Sequence, residues 1–159
     1  MIEYKSAAFY RATVALCLAA VVVFANLHLL QPLLPVLSRQ FALSPLQTSW
    51  AYAIGTLCLG VSLLVYAALS DAWGRKKLLL ITLFGMTLST LALTQVESFS
   101  TLLFWRAVQG VFLGGLPAVA IAYMGEEFSK PALVAAVGFY ISANSLGGIS
   151  GRLMAGALA

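Results

Sequence analysis

Three groups of residues could do chemistry, and two of them lie inside long apolar runs. Arg106 and Gln109 are three positions apart in the otherwise apolar run from Thr101 to Tyr123. On a helix they share one face. A cation inside a membrane span costs at least about 2.5 kcal/mol by insertion scales, so it faces a cavity or a partner, or snorkels to the interface. The amide of Gln109 deepens the polar face and favours the cavity. Tyr140, Asn144, Gly148 and Arg152 recur every four residues and form a second line of phenol, amide, bare backbone and guanidinium. This describes a polar track better than a lipid-facing surface, because a midspan amide needs hydrogen-bond partners. The plainer alternative makes the glycines packing residues and Arg152 an interfacial anchor.

The third group, Leu69, Asp71, Gly74, Arg75 and Lys76, sits between two apolar runs. Gly74 opens backbone conformations that a very short turn needs. Asp71 can pair with Arg75 and accept hydrogen bonds from a nearby helix N-terminus. Alternatively, the basic residues only set topology and Asp71 is solvated. Gly110 and Gly114, four apart, and then Gly147, Gly148 and Gly151, would let neighbouring helices approach closely. His28 is the single histidine, and Cys17 and Cys58 both lie in apolar stretches. With no paired acids, nucleophile constellation or Cys/His cluster, neither an enzyme, a metal site nor a cofactor is expected. What the residues themselves describe is a polar track inside apolar helices.

The elements that position these groups follow from composition. Of 159 residues, 62% are apolar and only 9% charged, with a mean hydropathy of +0.98. A soluble domain carries about 25% charged residues, so water could not solvate this surface. That excludes a soluble enzyme, a nucleic-acid-binding module and a disordered segment. A crossing helix needs about 20 apolar residues. Five such spans are expected, at roughly 13–34, 47–69, 78–96, 101–123 and 132–155. The first is too long for a signal peptide, and no small-x-small cleavage site closes it. Pro32, Pro35 and Ser38–Gln40 are expected to end it, and Ser44–Pro45 to open the second. Charged loops are expected at 70–77 and 125–131, with a polar turn at 97–100. No alternating barrel pattern competes, so the fold class is an all-α integral membrane bundle. Lys5, Arg11, Arg75, Lys76, Lys77 and Lys130 fall on one side and Arg39 on the other, which places the N-terminus in the cytoplasm.

The segment Ala67–Leu79 resembles the GxLaDRxGRKxxL signature of the major facilitator superfamily. Leu69, Asp71, Gly74, Arg75, Lys76 and Leu79 match in register, while Ala67 and Ala72 depart from it. Arg106, Gln109 and Gly110 look like that family's RxxQG motif. The stretch Gly138–Arg152 occupies the place of its GxxxGPxxGG signature, with Gly147–Gly148 matching and Ala143 and Asn144 substituted. The form YISxNSxGGxSGR, with Gln31–Ser38, is similar to a YnfM-like branch of bacterial inner-membrane efflux permeases.

The resemblance implies the N-terminal five spans of a facilitator-type bundle, residues 1–159 being a partial half. It also implies a proton-coupled efflux permease for a small solute, a sugar or a drug. The loop residues would contact the missing C-terminal half, and Arg106 would tune proton exchange. The expected partners are the lipid bilayer, a small-molecule solute, protons and that second half, with no nucleic acid. Alone, the chain is expected to be inactive. The rival reading is a complete small membrane protein working as a homo-oligomer, split-transporter subunit or accessory subunit.

Overall fold

A computed structural model describes residues 1–158. It comprises α1 (Ala7–His28), α2 (Leu34–Gln40), α3 (Pro45–Trp73), α4 (Arg75–Leu93), α5 (Phe99–Leu113), α6 (Gly115–Glu127) and α7 (Lys130–Leu158). Helices α5 and α6 form one membrane-length stretch interrupted at Gly114, so five stretches among the described residues are long and apolar enough to cross a bilayer.

Helix starts follow local capping chemistry rather than the edges of the apolar runs. Ser6 accepts a hydrogen bond from the Phe9 amide, so α1 begins at Ala7, ahead of the expected Thr13. Ser44 and Gln47 form a reciprocal capping box with Pro45 in the first turn, which sets the start of α3. Ser98 caps α5 through the Thr101 amide.

Three stretches differ from the sequence expectation. Helix α1 stops at His28, short of Leu34, and turns lead into α2, where a loop was expected. Pro35 sits in the first turn of α2, where its missing N–H costs nothing and its fixed φ suits the helix. A proline read as a stop is here a start. The expected loop at 70–77 shrinks to one residue: Gly74, at φ +86°, joins α3 directly to α4. That backbone is open to glycine and strained for other residues. The loop expected at 125–131 is likewise largely helical, with only Phe128 and Ser129 between α6 and α7.

Helix α1 packs along α7, while α3 and α4 flank the α5–α6 stretch. The contacts of Gly147 with Val21 and of Gly151 with Ala25 advance together along both chains, so α1 and α7 run parallel. A Cβ on Gly147 would lie 2.6 Å from the Val21 carbonyl oxygen, and one on Gly110 would overlap the Gly55 backbone. Small residues thus set the interhelical distance. Phe9, Leu16, Val23, Leu113, Leu116 and Met124 fill the core. Leu64, Phe84, Leu88 and Leu146 point outward, as lipid-facing side chains do.

Gly110→Ala should therefore force α5 away from α3 and cost about 1–3 kcal/mol of stability. Gly138→Ala, where a Cβ meets nothing within 4 Å, should cost nothing. Thermal unfolding of the two variants in detergent compares them directly.

Candidate functional site

Arg106 is 2% exposed and does not snorkel. Its guanidinium is held by neutral groups from three helices. Nε donates to the Ala51 carbonyl of α3 (3.2 Å), Nη1 to Gln109 Oε1 within α5, and Nη2 to the Leu27 carbonyl of α1 (3.5 Å). Gly55 makes the slot, since a Cβ there would stand 3.2 Å from Nη2. The fourth helix enters through Gln109, whose Nε2 donates to Thr90 Oγ1 of α4 (2.7 Å). Thr90 in turn donates to the Met86 carbonyl (2.8 Å), with Asn26 Oδ1 at 3.2 Å. Asn26 Nδ2 donates to the Val22 carbonyl (2.9 Å). Hydrogen bonds to a charged group contribute about 1.5–3 kcal/mol each, and a stranded buried donor costs a similar amount. The network is therefore strong only when complete.

Sequence reading singled out Arg106, Gln109 and Gly110. It missed Thr90. No sequence signal separates Thr90 from Thr87, whose hydroxyl bonds within its own helix.

The line on α7 is divided along its length. Tyr140 is 2% exposed within the core that α1 and α7 share, and its hydroxyl has no partner. Asn144 is half-buried with its Oδ1 also unpartnered. Gly148 faces the His28 ring, which lies 3.6 Å from the position a Cβ would take. His28 Nδ1 is 2.9 Å from the Phe24 carbonyl. Arg152 is exposed, and its Nε donates to Gln31 Oε1 at 2.6 Å. Among the described residues no hydrogen bond joins Arg106 to Tyr140, Asn144 or Arg152. Gly147 and Gly151 press on the α1 backbone, and Gly114 abuts Ser62 and the Leu59 carbonyl.

At the Gly74 junction Arg75 is the hub. Nη2 reaches Asp71 Oδ1 at 3.3 Å, the pairing that the i,i+4 spacing suggests, and Nη1 donates to the buried Ser70 hydroxyl at 2.9 Å. The better-aligned partner is Glu126 of α6, which takes the guanidinium in a bidentate grip, Nε to Oε2 at 2.7 Å and Nη2 to Oε1. This pair locks the α3–α4 junction to the end of α6. Glu126 was not singled out from sequence. The available signal was topological, since the turn after a fourth span lies at the same end of the bundle as the turn after a second. Leu69 is half-buried beside the small cluster of Tyr66, Leu78 and Val119. Lys76 is exposed.

Gln109→Ala strands Arg106 Nη1 and takes from Thr90 Oγ1 the hydrogen bond it accepts, so it should lower stability by about 1–3 kcal/mol. Thr87→Ala removes only an exposed intrahelical bond and should have little effect. Thermal unfolding in detergent provides the comparison.

Comparison with known proteins gives a family match. The Major Facilitator Superfamily model matches residues 16–159. The uncharacterized MFS-type transporter YybF of Bacillus subtilis (strain 168) is 40% identical over 94% of this chain and 37% of its own length. The inner membrane transport protein YnfM of Escherichia coli (strain K12) is 41% identical over 93% of this chain and 36% of its own length. The puromycin resistance protein pur8 of Streptomyces alboniger is 32% identical over 79% of this chain and 25% of its own length. The chain thus spans little more than a third of the first two relatives. No solved structure gives a significant match. A multi-pass helical bundle whose match runs from within α1 through α7 leaves one assignment: the chain belongs to the Major Facilitator Superfamily, a family of membrane transporters.

Proposed function

We propose that the chain supplies the first five spans of a proton-coupled efflux permease for a small solute, a sugar or a drug, in a bacterial inner membrane. Its N-terminus and the Asp71–Lys77 junction lie in the cytoplasm. The observation that carries this reading is Arg106, a fixed cation deep in an apolar bundle, held by carbonyls and an amide rather than by a carboxylate. A structural ion pair would have cancelled its field. An uncancelled guanidinium disfavours a second positive charge nearby, so it speeds proton release from any acid or loaded site brought close to it. That is the contribution expected of a residue coupling proton exchange to solute exit.

In this reading Arg106, Gln109 and Gly110 form the inner part of the route, and Tyr140, Asn144 and Arg152 its α7 wall. The unpartnered Tyr140 hydroxyl and Asn144 Oδ1 are consistent with groups that wait for a solute or water. The inner-membrane name of one relative supports the location, and the resistance protein supports drug efflux. Alternating access rocks one half against another around a shared site. Relatives about two and a half times as long favour a second half, so the 159 residues alone should insert without transporting.

Three measurements test the proposal. In a full-length transporter carrying these residues, Arg106→Ala should reduce gradient-driven efflux to background while insertion is preserved, and Arg152→Ala should be milder. Efflux unchanged in Arg106→Ala would overturn the role given to the cation. Gradient-dependent flux from the 159-residue chain in liposomes would replace the half-transporter reading with a homo-oligomer. For topology, single cysteines are placed at Ser44 and at Ala72, both exposed, in a background lacking Cys17 and Cys58. An impermeant reagent applied to intact cells should label the first and not the second.

A further inference from the structure

Helices α1 and α4 make no substantial contact, and near the Gly74 junction a cleft of about 1050 Å³ opens between them. Ala8, Ala12 and Ala15 keep its α1 wall low, Tyr123 of α6 borders it, and exposed Val14 and Leu18 continue it toward midspan. Two cations, Arg11 and Lys76, stand at the cleft. Both are exposed, and among the described residues neither forms an ion pair. An adjoining space of about 470 Å³ shares Lys76 and adds Arg75, Glu126 and Glu127. Arg75 is taken up by Glu126 and Asp71, and among the described residues Glu127 forms no ion pair with either remaining cation. Arg11 and Lys76 therefore stand at the cleft without a direct counter-ion.

We infer that this cleft binds an anionic glycerophospholipid, its phosphodiester between Arg11 and Lys76 and an acyl chain along Ala15 and Leu18. The site combines a cationic rim near the N-terminal ends of α1 and α4, the depth of a lipid headgroup, with an apolar trough leading toward the bilayer centre. Tyr10 and Tyr123 put amphipathic rings at the same level, as interfacial aromatics do. A free anion would gain nothing from the trough, and a zwitterionic lipid would bring its own ammonium against two cations that have no ion-pair partner among the described residues. Lys76 neighbours Arg75 in the first turn of α4, so a bound headgroup would hold that turn toward α1 and brace the α3–α4 junction. The inference rests on the cleft alone and stands whatever solute the family bundle carries.

Native mass spectrometry of the purified chain, released from detergent with equimolar phosphatidylglycerol and phosphatidylcholine, tests it. The chain should retain phosphatidylglycerol preferentially. Arg11→Gln/Lys76→Gln should weaken that retention roughly thirtyfold, about fivefold per cation, without changing phosphatidylcholine retention. Ala15→Phe, which fills the trough, should weaken both. Lys77→Gln is the control, because Lys77 lies over the Trp73 ring and does not line this cleft. All four positions are exposed, and unchanged helicity by circular dichroism establishes that each variant is folded. Equal retention of the two lipids, or phosphatidylglycerol retention unchanged in the double variant, would overturn the inference. So would full displacement of the lipid by millimolar inorganic phosphate, which would mark a simple anion site.

Discussion

The constraint on which the bundle turns is the burial of one guanidinium without a counter-ion. Arg106 cannot be left dry in a span, and among the described residues no carboxylate reaches it. Its field is met instead by the Ala51 and Leu27 carbonyls and the Gln109 amide. Each acceptor belongs to a particular turn of a particular helix, so satisfying Arg106 fixes the depth of α1 and α3 against α5. Gln109 extends the same demand to α4 through Thr90. A salt bridge would have met the charge with a single partner. Meeting it with backbone carbonyls enlists the packing of four helices, because the carbonyls are in place only when the helices are.

Glycine packing is the second half of that arrangement. Gly110 lies one turn beyond Arg106 and rests on the backbone of Gly55, the residue that leaves room for the guanidinium. The contact that brings α5 against α3 is thus the contact that brings Arg106 to the Ala51 carbonyl. Dispersion between close backbones, rather than a hydrophobic driving force that lipid cannot supply, holds this interface. The α1–α7 pair uses the same device at Gly147 and Gly151, and those glycines serve packing while Asn144, about one turn before Gly147, keeps a polar oxygen unpaired.

How far the sequence disclosed this depends on how local each interaction is. Arg106 with Gln109 and Asp71 with Arg75 are three and four positions apart, and both were legible as pairs, the first on one helical face and the second across a tight turn. Glu126 is 51 residues from Arg75, and only the alternation of spans places the two at one end. The Ala51 and Leu27 carbonyls were illegible for a more basic reason: a backbone acceptor has no residue type, so any sequence would supply it. Thr90 failed because a hydroxyl that bonds its own helix and one that also meets a neighbour look alike in sequence. The helix ends failed where one residue serves two purposes. Pro35 reads as a terminator and acts as a first-turn residue, and the charged run at 70–77 reads as a loop although one glycine makes the whole turn.

These two modes of recognition sit at different depths, and the difference is physical. Arg75 lies at the rim, where water screens the pair and carboxylates are affordable, and it uses Glu126 and Asp71, both more than half exposed. Arg106 lies inside, where each added carboxylate would itself need desolvation, and it uses neutral dipoles that are already there. An exposed ion pair can separate and re-form at little cost. A buried guanidinium set in four helices cannot move without taking its acceptors along. The rim is therefore the part of this bundle suited to making and breaking contact with another body, and the Arg106 network is the part suited to moving as one with the helices that carry it.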